Sequence, residues 1–233
     1  LRIAAIIPAY NEEASIASVV REVGEVAKAN GLAIQAVVVN DCSADRTGEI
    51  IAGLDCVALD LPVNLGIGGA VQTGLKYAFE NNFDLAVQVD GDGQHPASEI
   101  PKLVSAINEK RLDVAIGSRF IEKKGFQSSM ARRTGISWFR KLNRLLTGIN
   151  VLDSTSGFRM YNRSAMEVVQ EYYPDEYPEP EAIVIFAKYK LNVGEVSVEM
   201  KERQGGVSSI GFFSSIYYMW KVTLGILFTY IRS

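Results

Sequence analysis

Asp90-Gly91-Asp92-Gly93-Gln94-His95 follows directly on the apolar run Leu85-Ala86-Val87-Gln88-Val89. Two carboxylates separated by one glycine can converge on a hard divalent cation, because glycine permits the tight turn that brings them together. Such a cation takes oxygen ligands and keeps positions open for substrate phosphates. Asp90 and Asp92, with a carbonyl oxygen from Gln94, are therefore the candidate ligands for such a cation. Asp and Gly are also ordinary turn residues; the position at the end of a buried strand is what favours a site. His95 is expected beside the ligands rather than among them. The second chemical signal is positive charge. Residues 119–144 hold Arg119, Lys123, Lys124, Arg132, Arg133, Arg140, Lys141 and Arg144 against Glu122 alone. That local +7 leaves −10 for the rest of a chain whose net charge is −3. Such an asymmetry points to an anionic ligand or surface, and a solvated helix face is the plainer source of the same pattern.

These groups need a scaffold. Residues 3–7, 34–39, 85–89 and 114–116 are short apolar runs that read as buried parallel strands, with 56–59 a further candidate. Residues 45–54, 66–79 and 100–107 read as helices. Ile16, Val19, Val20, Val23 and Val26 recur at helical spacing after Asn11, the expected cap. Strands alternating with helices predict an α/β fold with a mostly parallel sheet covered on both faces. Ligands of such sheets bind beyond the carboxyl ends of the strands. The polar residues 8–12, 40–45, 90–94 and 117–119 all fall there, so four loops aim at one crevice.

The chain has 233 residues, 48% hydrophobic and 22% charged. These values exclude a disordered, collagen-like or coiled-coil chain and suit one large domain. We assign it to residues 1–206, with an appendage at 207–233. Cys42 and Cys56 make neither a disulfide framework nor a zinc site, so a reducing compartment is the default. The first eight residues lack the charged start and cleavage site of a signal peptide. From residue 210 to 231 the only charged side chain is Lys221, and seven of the 22 aromatic residues lie in this stretch. It is long enough to span a bilayer. Yet Ser214, Tyr218, Lys221, Gly225, Thr229 and Arg232 recur at three- and four-residue steps as a narrow polar stripe. That predicts an amphipathic, membrane-associated helix lying in the interface, with packing on the domain as the alternative.

Five segments in order carry a resemblance: Ile6-Ile7-Pro8-Ala9-Tyr10-Asn11-Glu12-Glu13, Val38-Val39-Asn40-Asp41-Cys42-Ser43-Ala44-Asp45-Arg46-Thr47, Asn64-Leu65-Gly66-Ile67-Gly68-Gly69-Ala70, the Asp90 to His95 segment, and Gly117-Ser118-Arg119-Phe120. Together they resemble family 2 glycosyltransferases, which have the Rossmann-like GT-A fold. Asp153-Ser154-Thr155-Ser156-Gly157-Phe158-Arg159-Met160-Tyr161 is similar to the branch of polyprenol-phosphate sugar synthases, relatives of dolichol-phosphate mannose synthase. The resemblance covers about residues 3–205.

It implies that Pro8, Tyr10, Glu12 and Gly68 line a nucleotide pocket, that Asp41 hydrogen-bonds the base, and that Asp90, Asp92 and Gln94 hold Mg²⁺ or Mn²⁺ against the diphosphate. Arg119 is implied to pair with donor or acceptor phosphates, since a guanidinium matches phosphate oxygens bidentately. Arg132 and Arg133 are the candidates for holding an acceptor phosphate, and Arg203 for closing over the diphosphate. Glu181, in Tyr177-Pro178-Glu179-Pro180-Glu181, is the carboxylate to watch as a base if the acceptor is a saccharide hydroxyl; the motif lacks the usual Glu-Asp pair. The implied reaction is inverting transfer of a sugar from a UDP- or GDP-linked donor to a polyprenyl phosphate at the cytoplasmic membrane face. A phosphate acceptor is already ionised at pH 7 and needs cations rather than a base. A small membrane protein or a second copy is the expected partner besides the lipid surface, and nucleic acid is not expected. The rivals are the same fold acting on a saccharide hydroxyl in cell-wall or capsule assembly, a nucleotidyltransferase, and a non-catalytic adaptor. A nucleotidyltransferase would carry a Gly-rich, basic loop after its first strand, where this chain has Pro-Ala-Tyr-Asn-Glu-Glu.

Overall fold

The computed structural model describes residues 1–122, 130–174, 178–201 and 212–232; the side chains of residues 130–132 and 212–216 lie outside the description. Seven strands form one sheet: β1 (Arg2–Ala9), β2 (Ala33–Asn40), β3 (Val57–Asp60), β4 (Leu85–Gln88), β5 (Val114–Ser118), β6 (Arg159–Asn162) and β7 (Val193–Ser197). Their order is β3-β2-β1-β4-β6-β5-β7, and every pairing is parallel except those of β6 with β4 and β5. The helices are α1 (Ile16–Asn30), α2 (Thr47–Ala52), α3 (Gly66–Glu80), α4 (Ile100–Lys110), α5 (Met130–Thr147), α6 (Arg163–Val169), α7 (Pro178–Lys188) and α8 (Phe212–Ile231).

β1 shows why the sheet is covered on both faces. Its side chains alternate with period two: Ile3, Ala5 and Ile7 join the core under α1 and α4, while Ala4 and Ile6 join the core under α3, α6 and α7. Burial on both sides is what makes the strand read as an unbroken apolar run. Helix α3 lies close over β1, because Gly74 faces the Ile6 side chain where a Cβ would overlap its Cγ2. Gly74→Ala is therefore expected to overpack this contact and cost about 1–3 kcal/mol, read as a lower denaturant midpoint.

Two expectations are corrected here. Asn11 does not cap α1, which starts at Ile16 after Ser15. Asn11 instead sits at φ 55°, a left-handed conformation that Asn tolerates, and its Oδ1 accepts the Ala44 amide at 2.8 Å. The stripe on α8 also points the other way. Gly225 and Thr229 face Glu181 of α7, and Val222 and Ile226 are buried with Phe139 and Val184 against α5 and α7. The outward side of α8 carries Tyr217, Trp220, Phe228 and Ile231, each at least 56% exposed. Among the described residues, no helix is long and apolar enough to cross a membrane.

Candidate active site

After β3 the chain crosses to the other side of β1, so the carboxyl ends of β1 and β4 form the switch point of the sheet, where α/β folds open a crevice. The Asp90 to His95 turn leaves β4 at that point. Its glycines are structural necessities: a Cβ on Gly91 would stand 2.8 Å from the Pro8 carbonyl oxygen, and Gly93 has φ 76°. Asp92 is buried and its Oδ1 accepts the Gln94 amide at 2.9 Å. Asp90 is more open, and its backbone N–H donates to His95 Nδ1 at 3.1 Å. The imidazole, stacked 5.1 Å from the Phe158 ring, thereby props the turn from behind. The main-chain oxygen of Gln94 accepts the Lys201 amide at 3.1 Å.

This donor set suits a hard cation: two carboxylates on one tight turn. Among the described residues, no group of three or more His, Cys, Asp or Glu side chains is placed to hold a metal ion. A cation held here would complete its shell with diphosphate and water oxygens.

Arg119 follows β5 at the same end of the sheet. Its Nε and Nη2 both donate to the Asp153 carboxylate at 2.7 Å, and both partners are buried. Burial alone would lower the guanidinium pKa, but the hydrogen bonds and charge of Asp153, with the charge of Asp90, raise it above its ordinary value. Arg119 is a permanent cation next to the carboxylate turn. Asp153 takes the Nε–Nη2 edge of the guanidinium, so a phosphate would meet its Nη1/Nη2 end. Asp153 is itself aimed from β7, where Glu195 accepts the Leu152 and Asp153 amides at 2.7 and 2.9 Å.

The other expected site residues are spread more widely. Pro8 and Glu12 back the turn: Glu12 Cγ lies 3.5 Å from the Cβ position of Gly91, and its Oε2 accepts the Ser15 hydroxyl at 2.8 Å. Tyr10 is exposed beside them. Asp41 ties the β2 loop to α3. Its two oxygens accept the amides of Leu65 and Gly66 at 2.7 and 2.9 Å, closing the entry to α3, whose first turn contains Gly68. A carboxylate is well placed there against the helix dipole.

Glu181 stands in the first turn of α7, two residues after Glu179, whose carbonyl oxygen accepts from Arg159 Nη2 at 2.8 Å. The Glu181 carboxylate packs on Gly225 and accepts from Thr229 Oγ1 at 3.4 Å, lining an open groove with Lys188, Lys221 and Arg232. Arg133 is exposed and shares a cavity of about 360 Å³ with Phe120, Arg140 and Leu152, beside the Arg119 loop. The Arg132 side chain and all of Arg203 lie outside the described residues. The sequence reading gave no role to Asp153, Glu195 or Gln88. For Asp153 a signal existed, a lone acid heading the Ser-Thr-Ser-Gly-Phe-Arg segment; Glu195 and Gln88 carry no motif.

The sequence model of glycosyl transferase family 2 matches residues 4–169. The chain belongs to glycosyl transferase family 2. Among relatives of this glycosyltransferase is the UDP-N-acetylglucosamine–dolichyl-phosphate N-acetylglucosaminyltransferase of Methanococcus voltae, 34% identical over 214 residues that cover 83% of each chain. The undecaprenyl-phosphate mannosyltransferase of Micrococcus luteus is 29% identical over 178 residues, 72% of this chain and 70% of the other. In three dimensions the glycosyltransferase is similar to glucosyl-3-phosphoglycerate synthase from Mycobacterium tuberculosis, solved with Mn²⁺, UDP and glucosyl-3-phosphoglycerate. The TM-score is 0.72 at 19% identity, over 98% of this chain and 79% of that one, which shows the shared GT-A fold.

Proposed function

We propose that this family 2 glycosyltransferase moves a sugar from a UDP- or GDP-linked donor to a polyprenyl phosphate, with inversion, at the cytoplasmic face of the cell membrane. The observation that carries the reading is the meeting, at one end of the sheet, of the Asp90/Asp92 turn, the permanently charged Arg119 and the basic cavity of Arg133 and Arg140. The names of the relatives supply the acceptor class. Asp90, Asp92 and Gln94 would hold Mg²⁺ or Mn²⁺. When bound, that ion would neutralise charge building on the departing nucleotide diphosphate. Arg119 adds fixed positive charge in a site walled by Phe158 and the sheet, where electrostatic stabilisation is strong. Arg133 and Arg140 would receive the acceptor phosphate, with Arg132 and Arg203 as further candidates. The acceptor oxygen is already anionic, so it needs no base, in keeping with the packing of Glu181 against α8.

The exposed Trp220, Phe228 and Ile231 on α8 give an aromatic and apolar face suited to a lipid interface, without spanning it. A small membrane protein or a second copy of the chain would extend that contact.

The test is incubation with Mn²⁺, a panel of nucleotide sugars and a short-chain polyprenyl phosphate, with products identified by mass. A sugar-phosphate lipid from one donor is expected. Hydrolysis of the donor with no lipid product, even with membranes added, would count against the acceptor. Glu181→Gln is expected to keep most of the transfer, whereas a saccharide-hydroxyl acceptor relying on that base would lose it. Because the protein offers few ligands of its own, Mn²⁺ should bind weakly alone and much more tightly with UDP present, as calorimetry of each ligand with and without the other would show.

A further inference from the structure

Gln88 is the last residue of β4, buried on every side, and two positions from Asp90, so both side chains leave the same face of the chain. Its Nε2 donates to Asp90 Oδ1 at 3.1 Å, while its Oε1 is buried with no hydrogen-bond partner among the described residues. An amide turned the other way would set its oxygen against the carboxylate, so the donor orientation is the consistent one. His95 Nδ1 lies 3.5 Å from the same Oδ1, but that nitrogen already accepts the Asp90 amide and has no proton to give. Gly157, in the loop leading to β6, closes the arrangement from outside. A Cβ there would stand 2.7 Å from Gln88 Nε2 and 3.5 Å from Asp90 Oδ1. A buried amide with an unsatisfied oxygen is costly, and a hydrophobic residue would fill this strand position more cheaply.

We propose that Gln88 is a positioning residue for the cation: its amide holds Asp90 Oδ1 inward, fixing the carboxylate so that Oδ2 is the oxygen offered to the metal, and Gly157 keeps the amide in place. The same loop joins the two halves of the site. It begins at Asp153, which aims Arg119, and ends at Gly157, which backs the Asp90 holder, so the cation site and the fixed arginine are set by one five-residue segment. The proposal rests on the reading of Asp90 as a cation ligand.

The experiment is a titration of Mn²⁺ in the presence of saturating UDP, reading free Mn²⁺ by its paramagnetic resonance signal. UDP binding in chelator and melting temperature are measured alongside. Gln88→Met keeps the volume and removes the donor; Gly157→Ala keeps the donor and displaces it. Both are expected to weaken Mn²⁺ binding by about 10- to 100-fold, the range seen when partners of metal-ligating groups are removed, while UDP binding without metal is unchanged. Folded Gln88→Met and Gly157→Ala proteins that bind Mn²⁺ within twofold of the parent would overturn the proposal. Asp90→Asn separates the two levels. If it keeps Mn²⁺ binding, the ligand reading itself fails; if it loses binding while both other variants keep it, only the positioning role fails.

Discussion

Asp92→Asn is expected to lower sugar transfer by about 10³-fold or more, roughly 4 kcal/mol of lost transition-state stabilisation, with the fold intact. The geometry makes this substitution informative. Asp92 Oδ1 accepts the Gln94 amide at 2.9 Å within the turn, and an asparagine oxygen can accept the same bond. The turn should therefore persist while the anionic ligand is lost. Initial rates at saturating donor and Mn²⁺, with circular dichroism as a control, check the outcome. A folded variant keeping a tenth of the parent rate would mean that the carboxylate is not needed in the transition state. A loss that extra Mn²⁺ repairs would instead locate the defect in cation binding alone.

The second large effect is expected at the buried ion pair. Asp153 is fully buried and Arg119 nearly so, with two hydrogen bonds of 2.7 Å between them. Asp153→Ala removes both short hydrogen bonds and the nearest negative charge from an arginine in the interior. Breaking such a pair from one side costs about 3–5 kcal/mol, a fall in melting temperature of roughly 6–20 °C for a chain of this size. Replacing both partners, as Arg119→Met with Asp153→Leu, should recover much of that stability, because an apolar pair removes both desolvation penalties. Transfer should stay lost in the double variant, since the fixed positive charge has gone with Arg119. Thermal melts paired with rate measurements separate the two roles. Restored stability together with restored activity would make the pair purely structural. Arg119→Lys is not expected to substitute, because an ammonium cannot span both carboxylate oxygens.

Much of this was legible in the residues. The strands β1, β2, β4 and β5 are buried on both faces, so they stand out as apolar runs, and the carboxylate turn stands out because it interrupts one of them. The reading stopped where a side chain's role depends on a partner far along the chain. Strand β6 is four residues, Arg159-Met160-Tyr161-Asn162, with one simple aliphatic among them, and nothing in it announces an antiparallel insertion between β4 and β5. Helix α5 was legible only as charge. Asp41 looks like a free carboxylate until α3 is folded beneath it and supplies the Leu65 and Gly66 amides. The neighbours of Glu181 are likewise hidden: an acid at the start of a helix says nothing of the α8 residues, Gly225 and Thr229, that meet its carboxylate. The polar stripe on α8 was visible, but its direction was not, because periodicity gives a face without saying which side meets the protein.

The central claim is that the acceptor is a lipid phosphate, and a matched pair of acceptors tests it most directly. With each nucleotide sugar and Mn²⁺, the protein is given a short-chain polyprenyl phosphate or the same polyprenol without phosphate, and products are identified by mass. The account predicts a glycosyl phosphate lipid from the first and no product from the second. Equal transfer to both, or transfer only to a saccharide hydroxyl supplied alongside, would contradict it.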